Sequence, residues 1–103
     1  MIKFEWDDNK NKTNIEKHGI SFEEAVTVFE DDEALIIVDD AHSQKEDRFV
    51  LIEFSYRANL LVVWNCYREK DSVIRIVSAR KANRQESEEY AKNYETTIRF
   101  FKR

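Results

Sequence analysis

The sequence predicts a single small α+β domain in which helices pack on a mainly antiparallel sheet. Its 103 residues are 42% apolar and 13% aromatic, which is enough for one modest core. Short polar links separate three β-branched apolar segments in the second half, as in an antiparallel meander. Two capped helical patterns follow the first strand, and a third ends the chain. The expected order is therefore β-α-α-β-β-β-β-α.

A strand and a short polar helix open the chain. Residues 2–6 alternate apolar and polar side chains, as a pleated strand does. Acidic and amide residues suited to capping occupy positions 7–9, and the helix is expected to run from about residue 9 to His18. Gly19, the only glycine, is expected to end this helix, because glycine adopts left-handed backbone without strain.

A second helix and a second strand follow. Ser21 and Glu24 have the spacing of a capping box, and the apolar residues behind them predict a helix that ends near Glu30. The apolar run 34–38, bounded by acidic residues, predicts a strand. Residues 41–47 are then expected to form a polar loop.

The second half of the chain predicts three strands and a final helix. The strands are expected at residues 48–55, 60–67 and 73–79. Asn83 and Glu86 form another capping-box pattern, so the helix is expected to begin near Arg84. Tyr90 and Tyr94 lie one turn apart on its apolar stripe and are expected to face the core.

Composition excludes several kinds of site. Cys66 is the only cysteine, so neither a disulfide nor a thiolate metal cluster can form within the chain. The two histidines, His18 and His42, lack metal-binding spacing, and one glycine leaves no room for a glycine-rich phosphate loop. No apolar run approaches the length that spans a bilayer. We therefore expect a cytoplasmic protein with no cofactor, no metal and no membrane contact.

Charge is divided unevenly along the chain. Residues 1–47 carry 5 Lys plus Arg against 14 Asp plus Glu, whereas residues 48–103 carry 12 against 7. The two parts thus carry charges of −9 and +5 within a net charge of −4. Because the local field rather than the net charge attracts a polyanion, this asymmetry is a hint of an interaction surface.

Three cations follow one another where the strand 73–79 is expected to end and the last helix to begin. They are Arg80, Lys81 and Arg84. Such a corner can hold a phosphate, because helix N-terminal N–H groups and cationic side chains point the same way. The alternative is that these residues are solvated charges that keep a sheet edge soluble.

Cleavage of an RNA backbone is a reaction that such cations can support. The 2′-oxygen must lose a proton, charge must be stabilised at phosphorus, and the 5′-oxygen must gain a proton. His42 is a candidate for proton transfer because imidazole titrates near neutral pH; the alternative is a hydrogen-bonded loop histidine. The aromatic residues that either stack on bases or belong to the core are Trp6, Tyr56, Trp64 and Tyr67.

Several sequence blocks together resemble the BrnT toxin family. They are FEWD at 4–7, KHGISFEEA at 17–25, the HSxxExR pattern at 42–48, LLVV at 60–63 and RIVSARKA at 75–82, followed by Glu86 and Tyr90. The resemblance implies a RelE-like fold, with one toxin domain over residues 1–95 and residues 96–103 as a C-terminal tail or helix extension. Members usually carry glycines in the hairpins of the second half. Because this chain has none there, Asn or Asp is expected at any position of positive φ.

The resemblance also implies a function. It predicts the toxin of a type II toxin–antitoxin module, a metal-independent endoribonuclease that inhibits translation. The expected partners are RNA, either free or on the ribosome, a BrnA-like ribbon-helix-helix antitoxin, and operator DNA reached through that antitoxin. The alternative is a non-catalytic antitoxin-binding module that acts in autoregulation of the operon.

The family pattern, carried over by position, implies two groups of site residues. The catalytic group is Arg75, Arg80, Lys81, His42 and Glu46, and the substrate-binding group is Arg48, Arg84 and Tyr90. Arg75 and Arg80 are expected at the scissile phosphate, with His42 or Glu46 as the base. Because the two arginines are an odd number of residues apart, a regular strand puts them on opposite faces. Both reach one site only if the strand bends or ends near Ala79.

Overall fold

The computed structural model describes residues 2–30, 35–38, 47–68 and 72–101, and it confirms the α+β class. The strands are β1 (Lys3–Glu5), β2 (Leu35–Val38), β3 (Asp47–Phe54), β4 (Leu60–Arg68) and β5 (Val73–Lys81). The helices are α1 (Asp8–His18), α2 (Phe22–Val26) and α3 (Arg84–Phe101), and a 3₁₀ helix (Thr27–Glu30) follows α2.

The described strands form one mixed sheet in the order β1-β5-β4-β3-β2. Three of the pairings are antiparallel, β2 with β3, β3 with β4 and β4 with β5. Only short links connect β3, β4 and β5, and such links return the chain antiparallel. β1 is instead parallel to β5, since most of the chain separates these two strands.

One face of the sheet carries the core. The apolar residues that project from this core face are Leu51, Leu61, Val63, Ile74, Ile76 and Ala79. They pack against residues of α2 and its flanking segments, namely Ile20, Phe22, Ala25 and Val28. Full burial of each large apolar side chain contributes about 1.5–3 kcal/mol, so this contact holds α2 on the sheet.

The ends of α1 follow the predicted caps. The Asp7 carboxylate accepts hydrogen bonds from the N–H groups of Asn9 and Lys10, at 2.8 and 3.1 Å. Gly19 ends the helix with φ of 71°, and its N–H group donates to the Ile15 carbonyl. The left-handed conformation explains why glycine stands at this position.

The predicted capping box of α2 is only half formed. The Ser21 hydroxyl accepts a hydrogen bond from the Glu24 N–H group at 3.0 Å. The buried Glu24 carboxylate instead accepts from Ser55 Oγ at 2.6 Å and Asn59 Nδ2 at 2.8 Å, which fixes the β3–β4 turn. The helical stretch ends at Glu30 as predicted, but it is not one α-helix. The α-helix ends at Val26, and the 3₁₀ turn begins where the Thr27 hydroxyl donates to the Glu24 carbonyl.

Two residues of the described turns have left-handed backbone without being glycine. Ala58 has φ of 62° and Ser72 has φ of 53°, so the expectation of Asn or Asp at such positions is wrong here. A Cβ in this conformation crowds the next carbonyl and costs about 1 kcal/mol per residue. Neighbouring hydrogen bonds offset this cost. Ala58 N–H donates to the Ser55 carbonyl, and the Ser72 carbonyl accepts from Lys3 N–H, each at 2.9 Å.

Helix α1 lies along the edge of β5, beyond the part that β1 covers. β1 pairs with β5 only as far as Arg75. Further along, Asn14 Nδ2 donates to the Ala79 carbonyl at 2.7 Å, and Asn14 Oδ1 accepts from Ala79 N–H at 3.2 Å. The same Nδ2 donates to the Ile20 carbonyl at 2.8 Å. This buried carboxamide therefore takes the place of a neighbouring strand.

Candidate functional site

Strand β5 is longer than predicted, so Arg80 and Lys81 lie within the sheet and not at a turn. Arg80 pairs with Val62, and Lys81 pairs with Leu61 of β4. The hydrogen bonding between β5 and β4 continues one residue beyond Lys81, because Ala82 N–H donates to the Leu60 carbonyl at 2.8 Å. The predicted end of this strand at Ala79 is therefore wrong.

The three cations predicted to meet at this corner point in different directions. Lys81 pairs with a core-face residue, so its side chain leaves the sheet on the opposite face from Arg80. The Arg84 side chain lies on α3, is 94% exposed, and pairs with Glu88 at 3.3 Å. Of the three cations, Arg80 is therefore the one that projects from a strand on the face opposite to the core.

A β-bulge places Arg75 and Arg80 on the same face. Their partners in β4 are Cys66 and Val62, which are an even number of residues apart and project to one face. Val77 is the extra residue of β5, because Ile76 opposes Asn65 while Ser78 opposes the preceding residue of β4. The odd spacing of the two arginines is thus compensated without ending the strand.

This second face, here called the cavity face, is the one that carries Arg48, Trp64, Cys66 and Arg80. A cavity of about 360 Å³ opens on it, lined by these four residues together with His18 and Ser78. Its volume is within the range of sites that bind small molecules. Two arginines, a histidine and a tryptophan therefore share the lining of one concave surface.

Arg80 is held in a fixed orientation within this site. Its Nη1 and Nη2 atoms donate to Glu86 Oε1 and Oε2, each at 2.7 Å, and Nη1 also donates to the Lys81 carbonyl at 3.2 Å. Its guanidinium carbon lies 5.1 Å from the centre of the Trp64 ring, as in a cation–π contact. A guanidinium has five N–H donors, and these contacts use three.

The same Glu86 begins helix α3. Its N–H group donates to Asn83 Oδ1 at 2.8 Å, and Asn83 N–H donates to Glu86 Oε1 at 2.9 Å. The predicted capping box is therefore confirmed. The hydrogen bonds from Arg80 lower the pKa of Glu86 below its ordinary value, while the Glu86 carboxylate raises the pKa of Arg80.

The other predicted residues lie in several places. Arg48 lines the cavity with Arg80. Arg75 is on the cavity face but outside the cavity, where its Nη2 donates to Glu5 Oε2 at 2.8 Å.

The Tyr90 hydroxyl donates to Glu53 Oε1 at 2.7 Å, and its ring packs edge-on against Phe54. Tyr90 therefore packs α3 on the sheet. His42 and Glu46 lie outside the described residues.

The predicted aromatic residues divide between the two faces. The Trp6 ring packs edge-on against Phe22, and Tyr67 also packs against the core. Tyr56 is 66% exposed and lies under the Arg57 guanidinium. Trp64 is the aromatic of this set that lines the cavity, and buried Cys66 lies beside it. No group of potential metal ligands occurs in the described part of the chain.

His18 lines the cavity, although its place in the sequence had indicated only the end of a helix and no metal site. It lies four residues after Asn14, so both are on one face of α1. Since Asn14 binds the edge of β5, His18 comes to the same edge one turn later. The sequence does show that Asn14 and His18 are one helical turn apart. It does not show that Asn14 is buried, so their spacing could not indicate a site.

Comparisons with known proteins identify the family. Residues 6–86 match the family model described as ribonuclease toxin, BrnT, of type II toxin–antitoxin system. The crystal structure of the Brucella abortus ribonuclease toxin BrnT superposes with a TM-score of 0.61 at 23% sequence identity, covering 82% of this chain and 100% of that one. A search of curated proteins gave no match. No helix in the described ranges is long and apolar enough to cross a membrane. As the sequence blocks predicted, the chain belongs to the BrnT family of type II toxin–antitoxin systems.

Proposed function

We propose that this chain is a metal-independent endoribonuclease with a RelE-like fold, which inhibits translation by cleaving RNA at the cavity face. The observation that supports this function best is the cavity itself, because it combines Arg48 and Arg80 with the Trp64 ring. Guanidinium groups bind phosphate, and an indole ring can stack on a base. The described residues that line the cavity therefore supply two kinds of contact that an RNA strand needs.

Arg80 is the residue best suited to the scissile phosphate. Charge develops on the phosphoryl oxygens as the 2′-oxygen attacks, and donors already oriented toward that charge need little reorganisation. The contacts with Glu86 and Trp64 fix the Arg80 guanidinium before any substrate arrives. Arg48 would bind the same phosphate or the adjacent one.

The remaining predicted residues are assigned outlying roles. Arg75 and Arg84 would contact phosphates farther along the RNA strand, because neither lines the cavity. Lys81, whose side chain leaves the sheet on the opposite face from Arg80, would contact only RNA that passes around the end of β5. His42 or Glu46, carried over from the family pattern, remains the residue proposed to act as the general base for the 2′-hydroxyl. Tyr90 would support the site indirectly, since its hydroxyl holds Glu53.

The proposed partners follow from membership of a toxin–antitoxin family. A BrnA-like antitoxin with a ribbon-helix-helix domain would neutralise the toxin in the cytoplasm and carry the complex to operator DNA. Residues 1–95 would form the toxin domain. Residues 96–103, into which α3 continues as far as Phe101, would form an extension available to the antitoxin.

The test is induced expression in a host that lacks the antitoxin, with growth and RNA integrity followed at matched soluble protein levels. We expect the wild type to arrest growth and cleave RNA, and Arg80→Gln to lose cleavage by at least about 10²-fold. Arg57→Gln is the matched control, because Arg57 is exposed and lies outside the cavity lining. Equal cleavage by wild type and Arg80→Gln would remove Arg80 from the site.

A second candidate function is a non-catalytic module that binds the antitoxin and acts in autoregulation. One observation favours it, since both Glu86 oxygens contact Arg80 and neutralise its charge locally. Under this function, neither wild type nor Arg80→Gln cleaves RNA, whether the RNA is free or on translating ribosomes. Antitoxin affinity would then be the property that surface variants change.

A further inference from the structure

We propose that His18 transfers a proton during RNA cleavage. We also propose that Lys10 and Lys17 bind an RNA phosphate on the side of His18 that lies away from Arg80. This inference rests on the proposed ribonuclease function and names a proton-transfer residue and a second subsite for it. It starts from the position of His18, which lines two adjoining cavities.

The second cavity has a volume of about 340 Å³ and lies between α1 and the bulge of β5. Lys10 and Lys17 line it from α1, and His18 belongs to its lining as well. Val77 and Ser78 line both cavities. The two cavities therefore adjoin at His18 and at the bulge, and together they are here called the groove.

The position of His18 is set by contacts to the sheet. Asn14, one turn earlier in α1, binds both backbone polar groups of Ala79, and its Oδ1 also accepts from Ser78 Oγ at 3.3 Å. Gly19 ends the helix directly after His18. The imidazole therefore projects from the last turn of a helix that is pinned to the edge of β5.

The charge of the groove suits an RNA strand despite the net acidity of the chain. Arg48 and Arg80 line the first cavity, and Lys10 and Lys17 line the second. No Asp or Glu belongs to the described lining of either one. A strand with one phosphate in each cavity would place the phosphodiester between them next to His18.

The chemistry at that point needs an exchange of protons and no co-reactant. The 2′-hydroxyl loses its proton as its oxygen forms a bond to phosphorus, and the bond from phosphorus to the 5′-oxygen breaks. The 5′-oxygen takes up a proton, which leaves a 2′,3′-cyclic phosphate and a 5′-hydroxyl. His18 moves one of these two protons and solvent or another side chain moves the other, because an imidazole ring has one nitrogen that can accept a proton and one N–H group that can donate.

The test of His18 is the steady-state kinetics of purified protein on RNA, both free and on translating ribosomes. We expect His18→Ala to lower kcat by about 10²-fold or more with KM nearly unchanged, and added imidazole to restore part of the rate. His18 is exposed, so this variant should keep the wild-type Tm. Unchanged cleavage, or a loss that appears in KM and is not restored by imidazole, would overturn the assignment.

The test of the second subsite is binding of a 2′-O-methyl RNA, which cannot be cleaved. We expect Lys10→Gln and Lys17→Gln each to raise Kd several-fold and to lower its salt dependence. Lys12→Gln is the matched control, because Lys12 is an exposed lysine of α1 outside both linings. Equal affinity in all four proteins would refute the subsite.

The experiments separate this inference from the function on which it rests. If the wild type cleaves RNA and His18→Ala cleaves equally well, only the role of His18 is refuted. If the wild type cleaves no RNA in either form, the proposed function fails and the role of His18 fails with it.

Discussion

The two faces of the sheet use the same strands in different ways. On the core face, Val63 and Leu61 of β4 are wholly buried against apolar residues. On the cavity face, the intervening strand positions include Trp64, whose ring contacts a guanidinium. Regular alternation is enough to build the first face. The second face also needs a β-bulge. Without the bulge, regular alternation would place Arg75 and Arg80 on opposite faces of the sheet.

This difference predicts that the two faces respond differently to mutation. Changes on the core face should lower the free energy of unfolding, whereas changes at the residues that line the cavity should alter function first. The predictions below test that division, from the largest expected effect on stability to the smallest.

The largest effect is expected for Phe22→Ala. Phe22 has no exposed surface and packs in the core, so we expect a loss of about 3–5 kcal/mol in the free energy of unfolding. Urea denaturation measures it, with Phe22→Leu as a milder variant that retains the fold. Phe54→Ala is the matched control on the cavity face. Because Phe54 is 48% exposed, its loss should be nearer about 1 kcal/mol, and equal losses would contradict the division.

Asn14→Ala is expected to be the next most damaging change. It removes the carboxamide that pairs with Ala79 and leaves backbone donor and acceptor groups buried without that partner, at a cost of about 2–3 kcal/mol. Asn9→Ala, at an exposed position on the same helix, should change stability by less than about 0.5 kcal/mol. Thermal and urea unfolding of both variants compare them. A small effect at Asn14 would mean that α1 is held mainly by other contacts.

Glu86→Gln should have a smaller effect that depends on pH. Glu86 and Arg80 are 24% and 31% exposed, so we expect a loss of about 1 kcal/mol near neutral pH. The folded protein lowers the pKa of Glu86 below 4.5, and its contribution is therefore present above that pH and lost as pH falls through the folded pKa. Unfolding curves of both proteins should thus converge on acidification. A difference that grows in acid would contradict this.

Ala58→Gly is the one change expected to stabilise. Relief of the left-handed strain exceeds the added entropy of the unfolded chain by about 0.5 kcal/mol. Ala82→Gly serves as control, because Ala82 has no positive φ and should lose about 0.5–1 kcal/mol. Differential scanning calorimetry resolves the sign. A lower Tm for Ala58→Gly would show that the turn depends on its methyl group.

Local patterns predicted the elements well where neighbouring residues decide the structure. The Asp7 cap, the Gly19 terminus and the reciprocal pair of Asn83 and Glu86 are all contacts over a few residues. Their physics is contained in the spacing, so the sequence was sufficient. The length of β5 was misjudged because its last two residues are charged, and pairing with β4 overrides that signal.

The candidate site was less predictable because it depends on contacts between distant segments. Nothing near Val77 in the sequence indicates a bulge, which exists only relative to the register of β4. Likewise, His18 reaches the cavity on a helix that binds, through Asn14, a strand residue 65 positions later in the chain. Arg80 was identified from the cluster of cations as well as from the resemblance, and Arg48 from the resemblance, but their meeting in one cavity required the sheet.

The pairing of Asn14 with Ala79 also bears on how the protein avoids self-association. The unpaired edge of a strand is a template on which a second chain can add its own strand, and such addition can propagate into aggregates. Here one side chain occupies both the donor and the acceptor of Ala79, and the helix that carries it lies along the edge. The sheet is therefore capped at this end. Loss of that one amide would leave the Ala79 donor and acceptor open to pairing with a strand of another copy of the chain.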